Sequence, residues 1–143
     1  MSLRRALALL AAALLIPACG SDASTAQPGA TATPSPLVAS LHREVVTAMN
    51  YEPGQVELTA STVQIVVAVV NSNLLAAGHL DRDADAARIA YTLERQIEQR
   101  PDLARVQAIH VDYVARDGSG VPILKDSMDF RRSAAGRFVR DVT

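Results

Sequence analysis

Tryptophan is missing from this chain of 143 residues, and three tyrosines and two phenylalanines make up its aromatic content. Sites that stack sugars or bases use aromatic platforms, so this scarcity argues against both kinds of ligand. The single cysteine, Cys19, rules out an intramolecular disulfide, so any fold must hold by packing alone. Lysine occurs once, as Lys125, and the other basic residues are arginines. Neither sign of charge prevails: the formal net charge is −1. A balanced chain lacks the footprint of a dedicated nucleic-acid binder. No apolar run is long enough to span a membrane, which takes about 20 residues.

The N-terminus has a distinct anatomy. Arg4 and Arg5 precede an unbroken apolar run, Ala6 to Ile16, followed by Pro17, Ala18 and Cys19. A basic start, a short apolar stretch and a small residue at the cut describe an export signal. Ile16-Pro17-Ala18-Cys19 resembles the lipobox of bacterial lipoproteins, with a proline at the second position, where small or aliphatic residues are commoner. That resemblance implies cleavage between Ala18 and Cys19 and a diacylglyceryl thioether on Cys19. Two acyl chains give stable membrane attachment where one gives only marginal binding. The membrane is then a partner through covalent lipid, and the remainder of the chain is placed in the cell envelope outside the cytoplasm.

The sequence divides into a signal peptide at 1–18, a lipidated cysteine with a flexible linker at 19–36, and an exported domain at 37–143. Gly20 to Pro36 is rich in Ser, Thr, Pro, Gly and Ala and too poor in apolar bulk to order itself. As a coil it spans roughly 20–25 Å, and about 55 Å fully stretched. Asp22 is third after the cysteine rather than second, which under the same resemblance departs from an inner-membrane retention signal.

The exported part is long enough to bury a core without metal or disulfide. Ser35 and Pro36 suit a helix start, and Leu37, Leu41, Val45 and Ala48 or Met49 share one face. Val56, Leu58 and Ala60 alternate with polar residues, as in a half-buried strand. Thr62 to Ser72 reads as a central strand, with Val63, Ile65, Val67 and Val69 facing one way and Val66, Ala68 and Val70 the other. A second helix, capped by Asp81 or Asp83 with Asp85 in its first turn, carries Ala86, Ala90, Leu93 and Ile97 inward. Val106 to Ala115 and Ile123 to Arg131 form a hairpin around Asp117-Gly118-Ser119-Gly120, with Leu124, Met128 and Phe130 on one face. The end of the chain reads as an edge strand at 137–142 or as a terminal helix.

This order, α-β-β-α-β-β with room for one more strand, predicts an α+β two-layer sandwich. Two helices lie on one face of a mainly antiparallel sheet of four or five strands. The order of elements resembles that of BON domains of bacterial envelope proteins, although Val66 and Ala68 stand where that family has its glycine-centred strand pair.

Catalytic and metal signatures are not evident. Asp81-Arg82-Asp83-Ala84-Asp85 begins like a calcium loop but puts Ala86 at the required glycine and Thr92 at the closing glutamate. His42, His79 and His110 have no second ligand at helical metal spacing. No cofactor motif is present. His110 and Asp112 share a strand face, and Asn71 follows the central strand. These three are the candidates for a small ligand-binding protein or hydrolase. Arg131, Arg132, Arg137 and Arg140 form either a solvated edge or a contact for anionic lipid. If the helices cover one sheet face, Val66, Ala68, Val70, Val106, Ala108 and Val114 leave the other apolar enough for a protein partner or self-association. The leading expectation is a non-enzymatic interaction or accessory module on a lipid anchor. The alternative is the hydrolase or ligand-binding protein.

Overall fold

The computed structural model describes residues 34–142. The expected signal peptide, Cys19 and the expected linker as far as Thr33 lie outside the described residues. Helix α1 (Pro36–Met49) starts as its sequence dictates: Ser35 Oγ accepts the Val38 N–H at 3.3 Å, and Pro36 sits where no N–H is needed. Leu41 and Val45 on its inner face are fully buried. Asn50 closes it in the left-handed conformation (φ 54°), one that asparagine tolerates.

Strands β1 (Val56–Ala60) and β2 (Gln64–Val70) form an antiparallel hairpin. Ser61 Oγ accepts the Gln64 N–H at 3.0 Å and the Val63 N–H at 3.3 Å, so a side-chain-directed turn occupies the first part of the predicted central strand. Val63 therefore sits in the turn, 52 % exposed, rather than under the helices. After Asn71 and a short 3₁₀ turn (Asn73–Ala76), helix α2 (His79–Gln99) crosses over the sheet. It returns the chain to β3 (Ala108–Arg116), parallel to β2. Strand β4 (Pro122–Arg132) and the short β5 (Phe138–Arg140) then add antiparallel, giving the spatial order β1-β2-β3-β4-β5. The protein is thus α+β, with two helices and a mostly antiparallel five-stranded sheet. The terminal segment resolves as an edge strand.

The core lies between helices and sheet. Leu41 and Val45 of α1, and Ala86, Ile89, Ala90, Leu93 and Ile97 of α2, meet Ile65, Val67, Val69, Ile109, Val111, Tyr113, Met128 and Phe130. These strand residues alternate along their strands, as period-2 side-chain placement requires.

Four details correct the sequence reading. Helix α2 starts at His79 behind Gly78, so neither Asp81 nor Asp83 is its cap. Arg82 fixes this earlier start by donating to the Leu74 and Ala77 carbonyls of the preceding turn. Asp85 belongs to the second turn and is buried. Val106 precedes β3 and is buried in the helix-side core, not on the open face. Finally, a register shift between Tyr113 and Val114 inserts an extra residue into β4, pairing Asp126 with Tyr113 but Leu124 with Val114. Such a bulge turns Leu124 onto the open face, 59 % exposed, while Met128 and Phe130 stay in the core.

Candidate functional site

The open face of the sheet gathers two of the three predicted polar residues. His110 on β3 has Asp112 two residues along its own strand and Asp129 directly across on β4. Its Nδ1 lies 2.7 Å from Asp129 Oδ1 and its Nε2 2.9 Å from Asp112 Oδ1. Ser127, the cross-strand partner of Asp112, brings its Oγ to 3.2 Å from the same Nε2. Partial burial disfavours charge on His110, but the hydrogen bonds and negative charges of Asp129 and Asp112 outweigh it and hold its pKa above the ordinary histidine value. Both ring nitrogens thus face carboxylates, an arrangement that favours the protonated imidazole.

Serine, histidine and aspartate in this order have the connectivity of a nucleophile triad, but the chemistry does not follow. A general base needs a free Nε2 lone pair facing the serine, and here Asp112 favours a proton on that nitrogen. The Ser127 N–H donates to Asp126 Oδ1 at 3.0 Å, so it is not free to stabilise an oxyanion. The arrangement can present fixed charge; it is not set up to activate a hydroxyl.

Asn71 does not join this cluster. It lies five residues beyond Val66, the neighbour of His110, roughly 16 Å along the strand. It adopts φ 49°, and its Oδ1 accepts the Arg116 N–H at 2.6 Å. That is the work of a strand-exit turn.

Above Val70 the open face is closed by side chains. Arg116 on β3 reaches across β2 to Glu57 on β1, with Nη2 2.8 Å from Oε2. The pair bridges two strands over the end of β2, where Val70 and Val114 are 6 % and 8 % exposed. Val66, Ala68 and Ala108 remain half-buried. The expected apolar face is therefore narrower, with a polar centre.

A second constellation was not legible as a site in the sequence. Asp85 of α2 accepts the Tyr113 hydroxyl at 2.7 Å, the Tyr51 hydroxyl, and Arg88 Nη2 at 2.9 Å. Burial, then the bond and the charge of Asp85, pushes both phenols far above the usual tyrosine range, so both stay protonated and donate to the carboxylate. Tyr51, Asp85 and Arg88 line a cleft of 560 Å³ together with Asn50, Glu52 and Asn73. Asp85 holds both hydroxyls and one nitrogen of the otherwise exposed Arg88, and the network braces the loop after α1 to α2 and β3.

The remaining predicted groups are engaged in structure. His42 meets the carbonyls of Val56 and Pro53, and His79 meets Asp126. Arg131 pairs with Asp141, Arg137 with Glu94, and Arg140 with Asp83 at 2.7 Å. Arg132 donates to the Ala104 carbonyl at 2.8 Å. The arginine cluster is thus tied down, securing the C-terminal edge. Among the described residues, no group of three or more His, Cys, Asp or Glu is placed to hold a metal, and no helix is long and apolar enough to cross a membrane. No protein-family model, curated protein or solved structure matches the chain.

Proposed function

We propose that this chain is a bacterial envelope lipoprotein, held on the membrane by lipid on Cys19, whose domain is a non-enzymatic interaction module. The anchor rests on the basic start, the apolar run and Ile16-Pro17-Ala18-Cys19. The single observation that favours binding over catalysis is His110, tied through both ring nitrogens to carboxylates on an uncovered sheet face. Two aspartates against one histidine leave that centre acidic whether or not the ring is protonated, bordered by half-buried Val66, Ala68 and Ala108. Such a face suits a protein partner that brings a basic side chain within an apolar surround.

Two experiments test this. Mass spectrometry of the membrane-extracted protein should find a mature chain starting at a diacylated Cys19; an unmodified Cys19, or cleavage elsewhere, refutes the anchor. For the domain, a photo-crosslinker at Asp129 should yield a discrete adduct in cells, while one at Tyr91 on the helix side should not. Labelling of Ser127 by a fluorophosphonate would instead favour the hydrolase reading, whose one supporting contact is Ser127 Oγ to His110 Nε2.

A further inference from the structure

The two edges of the sheet are treated differently. An exposed edge offers unpaired N–H and C=O groups to other strands, and proteins usually block it. At the far edge the blocks are plain. β5 covers Phe130 to Arg132, the Asp141 N–H donates to the Asp129 carbonyl at 2.8 Å, and the Ser127 N–H donates to Asp126 Oδ1. Pro122 and Lys125 occupy the stretch that remains.

The β1 edge lacks these blocks. Ser61 N–H donates to the Gln64 carbonyl at 2.8 Å, which makes 61 and 64 a hydrogen-bonded pair. Hydrogen-bonded pairs alternate along an antiparallel ladder. Glu57 and Thr59 therefore bond inward to Ala68 and Val66, and the main-chain groups of Val56, Leu58 and Ala60 point outward. His42 Nε2, 3.0 Å from the Val56 carbonyl, confirms that direction and covers one group. The N–H and C=O of Leu58 and Ala60 have no hydrogen-bond partner among the described residues. Beside them runs a groove of 360 Å³ lined by Val38, Ala39, His42 and Leu58. No proline, lysine or bulge interrupts the strand.

We infer that β1 pairs antiparallel with β1 of a second copy of this chain, joining two sheets into one of ten strands about a two-fold axis at Leu58. Side-chain chemistry selects both partner and register. With the axis at Leu58, all five strand residues pair, and each Glu57 faces Thr59 of the other copy on the open face. Each glutamate, already paired with Arg116 of its own chain, then accepts a threonine hydroxyl through a remaining lone pair, twice by symmetry. Moving the axis to Glu57 sets two carboxylates against each other, and moving it to Thr59 shortens the overlap to three residues. The small side chains Val38 and Ala39 border the junction and let the two α1 helices approach. Pairing requires no lipid and leaves both open faces on the same side.

The test uses full-length chains carrying Cys19→Ser, so that no native thiol interferes. One chain carries Glu57→Cys and the other Thr59→Cys. Residues facing each other in a non-hydrogen-bonded pair have Cα atoms about 4.5 Å apart, within disulfide reach. The mixture should form a 57–59 intermolecular disulfide under mild oxidation, and neither chain alone should. Sedimentation equilibrium of the chain with only Cys19→Ser should show a dimer. Adding Thr59→Glu, at an exposed position, should return it to monomer, with a cooperative thermal melt that no longer depends on protein concentration. A monomer up to about 1 mM, the weak end of measurable affinity, overturns the inference. So does a dimer indifferent to Thr59→Glu, or slow exchange of the Leu58 and Ala60 amides in a monomer, which would mean that another segment already covers the edge.

Discussion

The Tyr113 hydroxyl, at the centre of the sheet, donates to the buried carboxylate of Asp85 on α2 at 2.7 Å, and Tyr51 from the loop after α1 donates to the same oxygen. One aspartate thereby links three separate parts of the chain. A carboxylate taken from water is tolerated only when charge-assisted bonds replace its hydration. The cross-brace is therefore a stability element whose parts depend on one another.

Tyr113→Phe keeps the ring in the core and removes one donor to Asp85. A hydrogen bond to a charged group contributes about 1.5–3 kcal/mol, and the unfolding free energy in urea should fall by that amount. Tyr51→Phe should cost less, since Tyr51 is only half-buried. The double variant should depart from additivity, because both hydroxyls serve one oxygen. Strict additivity would mean that Asp85 does not couple them.

His110 makes stability depend on pH in a defined direction. Its folded pKa lies above the ordinary histidine value, so the folded state holds the proton more tightly than the unfolded chain. The resulting stabilisation is complete below the unfolded value and is lost as pH climbs through the folded value. The stability of wild type minus that of His110→Gln should therefore be largest below about pH 6.5 and shrink as the pH rises above it. A difference that grows with pH would contradict the double-carboxylate geometry.

Glu94, buried on α2, accepts the Phe138 N–H at 2.8 Å and pairs with Arg137. Glu94→Ala removes both contacts and leaves a main-chain donor without its partner. A loss of about 1–3 kcal/mol is expected. Hydrogen exchange should locate it, with the Phe138 amide exchanging faster while those of β2 and β3 change only with the global loss.

Ile109 on β3 is fully buried between α2 and the sheet. Ile109→Ala should cost about 2–5 kcal/mol through lost burial and the cavity left behind. Thr59→Ala on the exposed face should stay within about 0.5 kcal/mol in the monomer. Denaturant midpoints of the two variants compare a core position with a surface one directly.

Much of this architecture was present in the sequence because its causes are local. Ser35 followed by Pro36 marks a helix start wherever the chain goes, and Leu41 and Val45 share a face through the helical period alone. The alternation of Ile65, Val67 and Val69 determined a strand, and Gly136 before Phe138 permitted the edge strand that formed. The polar pair His110 and Asp112 was legible for the same reason, since residues two apart on a strand share a face.

What only the tertiary structure decided involves partners distant in sequence. The aspartates at 81, 83 and 85 look alike beside the start of a helix. Their roles separate only when Arg140 arrives at Asp83, and Tyr51 and Tyr113 at Asp85. Asp129 and Ser127 reach His110 because β4 pairs with β3 in one register, and the bulge that exposes Leu124 is a property of that pairing. Hydrogen-bond geometry and burial are set by which chains meet, and a local pattern of residues does not encode the meeting. The sequence alone determined which segments are helices and strands, to within a few residues at their ends, and the apolar side of most of them. Packing decided which polar groups face one another, and hence which of them are fixed charges, braces or an open edge.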